Sequence, residues 1–170
     1  MIYNALDVAR YVINYSNHIN SPISNLQLQK IMYYIQAAFL VEKDQRCFHE
    51  EILNWTYGPV VDKVYREFRT FGYSPIPKQE EYINIGYHKE SSRIKIEKKK
   101  FDENIFCNSD KKLIQQIVDI YSNMEPFDLV NKTHSEDPWR KTKQNDVISI
   151  EDIKSYYTDN INKLYGQGEN

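Results

Sequence analysis

Cysteine and histidine are the residues in this chain best suited to nucleophilic or metal chemistry, and they are few. Cys47 and His49 stand two apart, and His134 could join them only through the fold. A thiol beside an imidazole is the pairing that activates a nucleophile. The alternative, which we prefer, is that Cys47 and His49 are ordinary, partly exposed residues beside a turn. Two cysteines and four histidines, at 18, 49, 88 and 134, show no metal-ligand spacing. The five glycines form neither GxGxxG nor GxxxxGK, so no phosphate-cradling loop is present. The adjacent acids Glu50–Glu51 and Glu80–Glu81 fall on expected surface turns and serve solubility rather than a shared proton. We therefore expect no enzyme, no metal and no cofactor.

Two stretches are odder than composition requires, WTYGPV at 55–60 and THSEDPW at 133–139. Each sets a tryptophan close to a proline that could open a helix. They read either as core anchors and helix starts or as polar residues turned toward a shared groove.

The element that must position them is 23–41, ISNLQLQKIMYYIQAAFLV. Ser24 and Gln27 form a capping box, with Ile23 and Leu28 at the staple positions. Leu28, Ile31, Met32, Ile35 and Phe39 recur at helical steps. Tyr34, Ala37, Ala38 and Val41 widen the apolar surface, so this helix is packed on several sides. Before it, Asn4 caps a first helix whose face is Leu6, Ala9, Val12, Ile13 and Ile19, ended by Asn20, Ser21 and Pro22. After it, 52–57 reads as a short extended segment. Gly58 and Pro59 then start a helix carrying Val60, Val61, Val64, Tyr65, Phe68 and Phe71, ended by Gly72.

SPIP at 74–77 is a stiff, non-helical linker. Residues 82–87 and 93–98 alternate with period two and flank HKESS, which predicts a β-hairpin. Helical patterning resumes with Ser109 as cap and Leu113, Ile114, Ile117, Val118 and Tyr121 as its face. A short helix follows at 125–132. Asp137 and Pro138 open another turn that brings Trp139 back onto the core. Ser149 and Asp152 cap a last helix closed by Gly166. The fold class is mainly α: a compact multi-helix domain around a central apolar helix, about six helices in all, with a small β-hairpin or sheet insertion.

A net charge of −2 with no long basic face argues against direct nucleic-acid binding, which needs many phosphate contacts. Two cysteines make no disulfide framework and suit a reducing cytoplasm. No run approaches about 18 apolar residues, so no membrane span is expected. Fourteen tyrosines are many; tyrosine suits both core edges and protein interfaces.

Taken in order, ALDVARYVI, LQLQKIMYYIQAAFL, WTYGPVVDKVYREF and LVNKTHSEDPWRK resemble the Panacea domain family of SocA-like antitoxins and phage-associated proteins. Leu28, Gln29, Lys30, Tyr33 and Tyr34 match its central helix, with Ile31 and Met32 where leucine is commoner. Trp55, Gly58 and Pro59 match its W-x-x-GP element, and Thr133, His134, Pro138 and Trp139 its TH…PW element. The resemblance covers roughly 5–72 and 109–157, which makes 1–170 a single Panacea-like domain with a variable insertion at about 73–108. It implies a non-enzymatic protein that binds and neutralises a cognate toxin encoded in the adjacent gene, in some members as an adaptor to a host protease. A phage or prophage protein that binds a host defence or replication protein is the alternative. The residues it marks for partner binding are Lys30, Tyr33, Tyr34, Trp55, Tyr57, Gly58, Pro59, Thr133, His134, Pro138 and Trp139.

Overall fold

The computed structural model describes residues 1–88 and 93–166, and its architecture grows from one helix. Helix α1 (Ala5–His18) is capped by the Asn4 side chain, which accepts from Leu6 N at 2.9 Å. Helix α2 (Asn25–Lys43) opens on a complete capping box, with Ser24 and Gln27 each bonding the other's backbone N–H. Ile23 and Leu28, at the staple positions, are both fully buried. Between the helices, Asn20 takes the left-handed conformation that the tight connection requires.

Buried residues occupy every side of α2, and α1, α3 (Asp62–Phe68), α4 (Asn108–Tyr121), α5 (Pro126–His134), α7 (Ile150–Asp159) and α8 (Ile161–Leu164) all pack against it. This is the central post expected from its apolar circumference. Its burial extends to four polar side chains, Asn25, Gln29, Lys30 and Gln36. Gln36 is satisfied by the chain after α2: its amide oxygen accepts from Cys47 N at 2.8 Å, and its nitrogen donates to Phe48 O at 3.2 Å. One apolar cluster runs from Tyr3 to Leu164.

Two small antiparallel sheets complete the fold. In the first, β1 (Leu53–Trp55) pairs with β2 (Gly58–Val60). This corrects the helix start expected at Gly58 and Pro59. Gly58 has φ +103°, so the chain folds back as a strand, and α3 begins at Asp62 after an uncapped Val61. Glycine after a turn followed by proline reads equally well as a helix start, and only the positive φ separates the two. The second sheet pairs β3 (Glu81–His88) with β4 (Arg93–Lys100), the predicted hairpin with longer strands. Most of its expected HKESS connection lies outside the described residues. The linker before it is anchored, because Ile76 is buried and donates its N–H to Ile23 O at 2.9 Å.

Smaller corrections concern helix starts. Cys107, not Ser109, is the N-cap residue of α4, and it makes no side-chain cap. Pro126 takes the first position of α5, and Glu136 rather than Asp137 precedes the short α6 (Asp137–Arg140). Ser149 caps α7 as expected, and Gly166 closes the end at φ +64°. Cys47 is fully buried, not partly exposed; the Gln36 bond to its N–H draws it inside. The described residues form eight α-helices against about six expected, in part because the last helix, expected unbroken from Ser149 to Gly166, breaks at Asn160.

Candidate functional site

Lys30 lies in the middle of α2 with none of its surface exposed. Its ammonium donates to the Pro59 carbonyl at 3.1 Å. Burial without a carboxylate partner favours the neutral amine and pushes its pKa down to about 7. Over it lies Gly58. A Cβ there would stand 2.7 Å from Lys30 Cε and 2.7 Å from Thr133 Oγ1, so only glycine admits this approach of hairpin to helix. Thr133 is fully buried at the end of α5, its hydroxyl donating to Val130 O at 2.9 Å.

The next residue begins a stacked pair at the protein surface. The His134 ring lies on Trp139 with centroids 3.8 Å apart and planes 15° from parallel. Burial and then the Lys30 charge hold His134 below its ordinary pKa, against a smaller pull from the Thr56 backbone carbonyl. Trp139 Nε1 donates to Trp55 O at 3.0 Å. Asn54 completes the lacing: its amide donates to Trp139 O at 2.6 Å and Thr142 O at 2.8 Å. Trp55 turns its half-buried ring edge-on to Tyr65, 5.1 Å away.

Tyr33 and Tyr34 face a different neighbourhood. Tyr34 stacks on Tyr121 at 4.3 Å, and its hydroxyl donates to Glu136 at 3.1 Å. Tyr157 donates to the same Glu136 oxygen at 2.6 Å, and Lys132 reaches the other oxygen at 2.7 Å. Glu136 is almost wholly buried, so these three donors stand in for the water its carboxylate has lost. Burial first, then the Glu136 charge, pushes the Tyr34 hydroxyl well above its ordinary pKa. The Tyr33 hydroxyl is buried without a partner among the described residues.

Outside these buried groups, a groove of about 500 Å³ opens beside the β1–β2 turn. Leu26, Trp55, Tyr57, Tyr65, Tyr73 and Phe127 wall it, and Arg69 is the charged residue on its rim. Tyr57 is 59% exposed and meets Phe127 edge-on.

Residues 28–140, well over half the chain, match the family model described as "Antitoxin SocA-like, Panacea domain". The chain belongs to this family. Antitoxin SocA of Caulobacter vibrioides (strain NA1000 / CB15N) is 36% identical to it over 69 residues, 41% of this chain and 37% of that protein. The match therefore spans little more than a third of that relative's length. No solved structure matches.

Every expected site residue of this Panacea domain falls inside the matched span. The fold gathers Lys30, Gly58, Pro59 and Thr133 in the interior, and Trp55, His134 and Trp139 next to them. Tyr57 stands on the groove rim, and Pro138 is buried at the start of α6. Cys47 and His134 are not brought together: Cys47 lies beside Gln36, His134 on Trp139. Burial pushes the Cys47 thiol well up, opposite to what a nucleophile needs. Lys30 has the chemistry of a near-neutral amine, but it is enclosed, so no substrate can meet it in this conformation. Among the described residues no group of three or more acids, cysteines and histidines is placed to hold a metal ion. No described helix is long and apolar enough to cross a membrane.

Three residues of consequence were not among those marked for partner binding. Glu136 sits within THSEDPW, and an acid between two helix signals could have drawn notice. Gln29 accepts from Val61 N at 3.0 Å and donates to Asn25 at 2.9 Å, tying β2 to α2. Its match to the family's central helix, and a glutamine inside an otherwise apolar helix, were its signals. Asn54 had none beyond its place next to Trp55.

Proposed function

We propose that this protein is an antitoxin-type binding module that neutralises a cognate toxin by direct contact in the cytoplasm. Membership of the SocA-like antitoxin family carries the reading. Among the marked residues, Lys30, Gly58, Pro59 and Thr133 act from the interior, holding the β1–β2 turn against α2. Tyr57, with the exposed faces of Trp55, His134 and Trp139, is what a partner can touch. Tyrosine and tryptophan beside an arginine are the side chains that most often dominate binding energy at protein interfaces. On this reading residues 1–170 form one domain, with 73–108 as an insertion.

The test is growth. The open reading frames on either side of this gene are expressed alone and together with this chain. Toxicity from one of them, relieved by co-expression, is the expected result; no toxicity from either neighbour overturns the proposal. A proteolytic adaptor would make the toxin short-lived only in cells that hold the protease, whereas simple sequestration leaves its half-life unchanged.

A further inference from the structure

Strands β3 and β4 form an arm whose register decides which side chains share a face. Ile85 is opposite Ile96, Ile83 opposite Lys98 and Tyr87 opposite Ile94. Alternation along each strand therefore places Ile83, Ile85, Ile94 and Ile96 together. They are 63%, 70%, 69% and 68% exposed. The opposite face is the one the body holds, since Tyr82 lies under the Arg10 guanidinium at 3.7 Å. The root is pinned as well. Gln79 N donates to Asn14 Oδ1 at 2.6 Å, and Phe101 N donates to Glu80 O at 2.8 Å. The isoleucine face thus points outward because the root is tied down.

Such an arm is anomalous in water. A lone two-stranded hairpin is marginally stable, and four clustered isoleucines on its open face are left without the burial that would favour it. Among the described residues neither strand has a second neighbour, so each also offers an unpaired backbone edge. The arm is charged differently from the rest of the molecule. Arg93, Lys95, Lys98, Lys99 and Lys100 against Glu81 and Glu97 leave the two strands at +3, in a chain whose net charge is −2, so the remainder carries −5.

We propose that the isoleucine face of this arm is a docking surface for a partner protein that presents aliphatic side chains flanked by carboxylates. The partner's aliphatic groups cover the isoleucines, and its acids meet Lys98 and Lys100, the lysines that share their face. This rests on the antitoxin reading in naming the toxin as that partner. A second copy of this chain does not fit, because its arm would set basic residues against basic residues. An anionic membrane fits poorly, because the −5 remainder is repelled by the same surface.

Fluorescence anisotropy with the full chain tests the surface directly. The probe is a labelled decapeptide alternating isoleucine and glutamate; its isoleucine–lysine counterpart is the control. The acidic peptide is expected to bind at least about tenfold tighter than the basic one, and less tightly as salt is raised. Combined Ile83→Thr, Ile85→Thr, Ile94→Thr and Ile96→Thr substitutions keep strand propensity and should abolish binding while the thermal midpoint holds. Combined Lys98→Glu and Lys100→Glu substitutions, on the isoleucine face, leave the isoleucines in place and should turn the preference toward the basic peptide. Absent binding, equal binding of the two peptides, or binding untouched by the threonine variant overturns the proposal. So does a chain that prefers phosphatidylserine vesicles, or a dimer that the threonine variant dissolves. In the growth assay, full rescue by the threonine variant likewise removes the arm from toxin binding. If neither neighbouring gene is toxic, the antitoxin reading falls while the peptide result still decides the face.

Discussion

The buried lysine of α2 makes stability depend on pH in a range that few groups reach. An amine whose pKa falls from 10.5 to about 7 on folding is still protonated in the unfolded chain when the folded chain has let its proton go. Between those two values the unfolded state binds more protons, so stability rises with pH; below about 7 both states are charged and the full penalty is present. At 1.36 kcal/mol per pH unit, the whole depression corresponds to about 4 to 5 kcal/mol. From pH 7.0 to 8.5, with the folded amine half protonated at the lower limit, the gain is about 1 to 2 kcal/mol. The window should stop there. The Cys47 thiol, pushed up by burial, ionises first in the unfolded chain, so its contribution falls as pH climbs toward the ordinary thiol value of 9.0. His134, held below its ordinary 6.5, titrates under the window. Urea unfolding at intervals of pH, on the wild type and on Lys30→Met, isolates the lysine because every other group is common to both. The wild type should gain about 1 to 2 kcal/mol on the variant's profile across the window. Parallel profiles would mean that Lys30 keeps an ordinary pKa and that its enclosure by Gly58, Pro59 and Thr133 is wrong.

Gly58→Ala should destabilise by about 2 to 4 kcal/mol, since it combines a positive φ with contacts no Cβ tolerates; an unchanged urea midpoint would deny the close packing of hairpin on helix. Glu136→Ala should cost about 3 kcal/mol by leaving the Tyr34 and Tyr157 hydroxyls and the Lys132 ammonium without their acceptor. A double-mutant cycle with Tyr157→Phe should then show coupling of about 1 kcal/mol or more, and strict additivity would refute the shared bond. Ser24→Ala removes one half of the capping box and should lower stability by about 1 kcal/mol, read from the thermal midpoint.

Local signals were read correctly from the sequence where they were strong and self-contained. Ser24 with Gln27 placed the start of α2 to the residue, and period-two alternation found both strands of the arm. The misses share a cause: the deciding contact is distant in sequence. Whether Gly58–Pro59 opens a helix or closes a hairpin depends on Lys30 and Thr133, which lie 28 residues before and 75 residues after Gly58. The burial of Glu136 follows from its turn inward to Tyr34 and Tyr157, partners on two other helices. Candidate site residues were legible as a group through the family motif. Their division into buried supports and exposed contacts was not, because Lys30 and Tyr57 look equally polar in a linear string. Composition averaged away the basic arm, whose +3 is hidden inside a net −2.

The packing of α7 on α2 has a consequence for synthesis. The Tyr33–Tyr34 side of the post, covered in part by Tyr121, is closed by Tyr157, more than a hundred residues later in the chain. Until α7 emerges, those rings and the Glu136 carboxylate have no complete cover, so the fold cannot lock before then. A transcript cut short before α7 would yield a chain with its interior open, fit for degradation rather than for binding. Supply of working protein is then set by the translation events that run past α7.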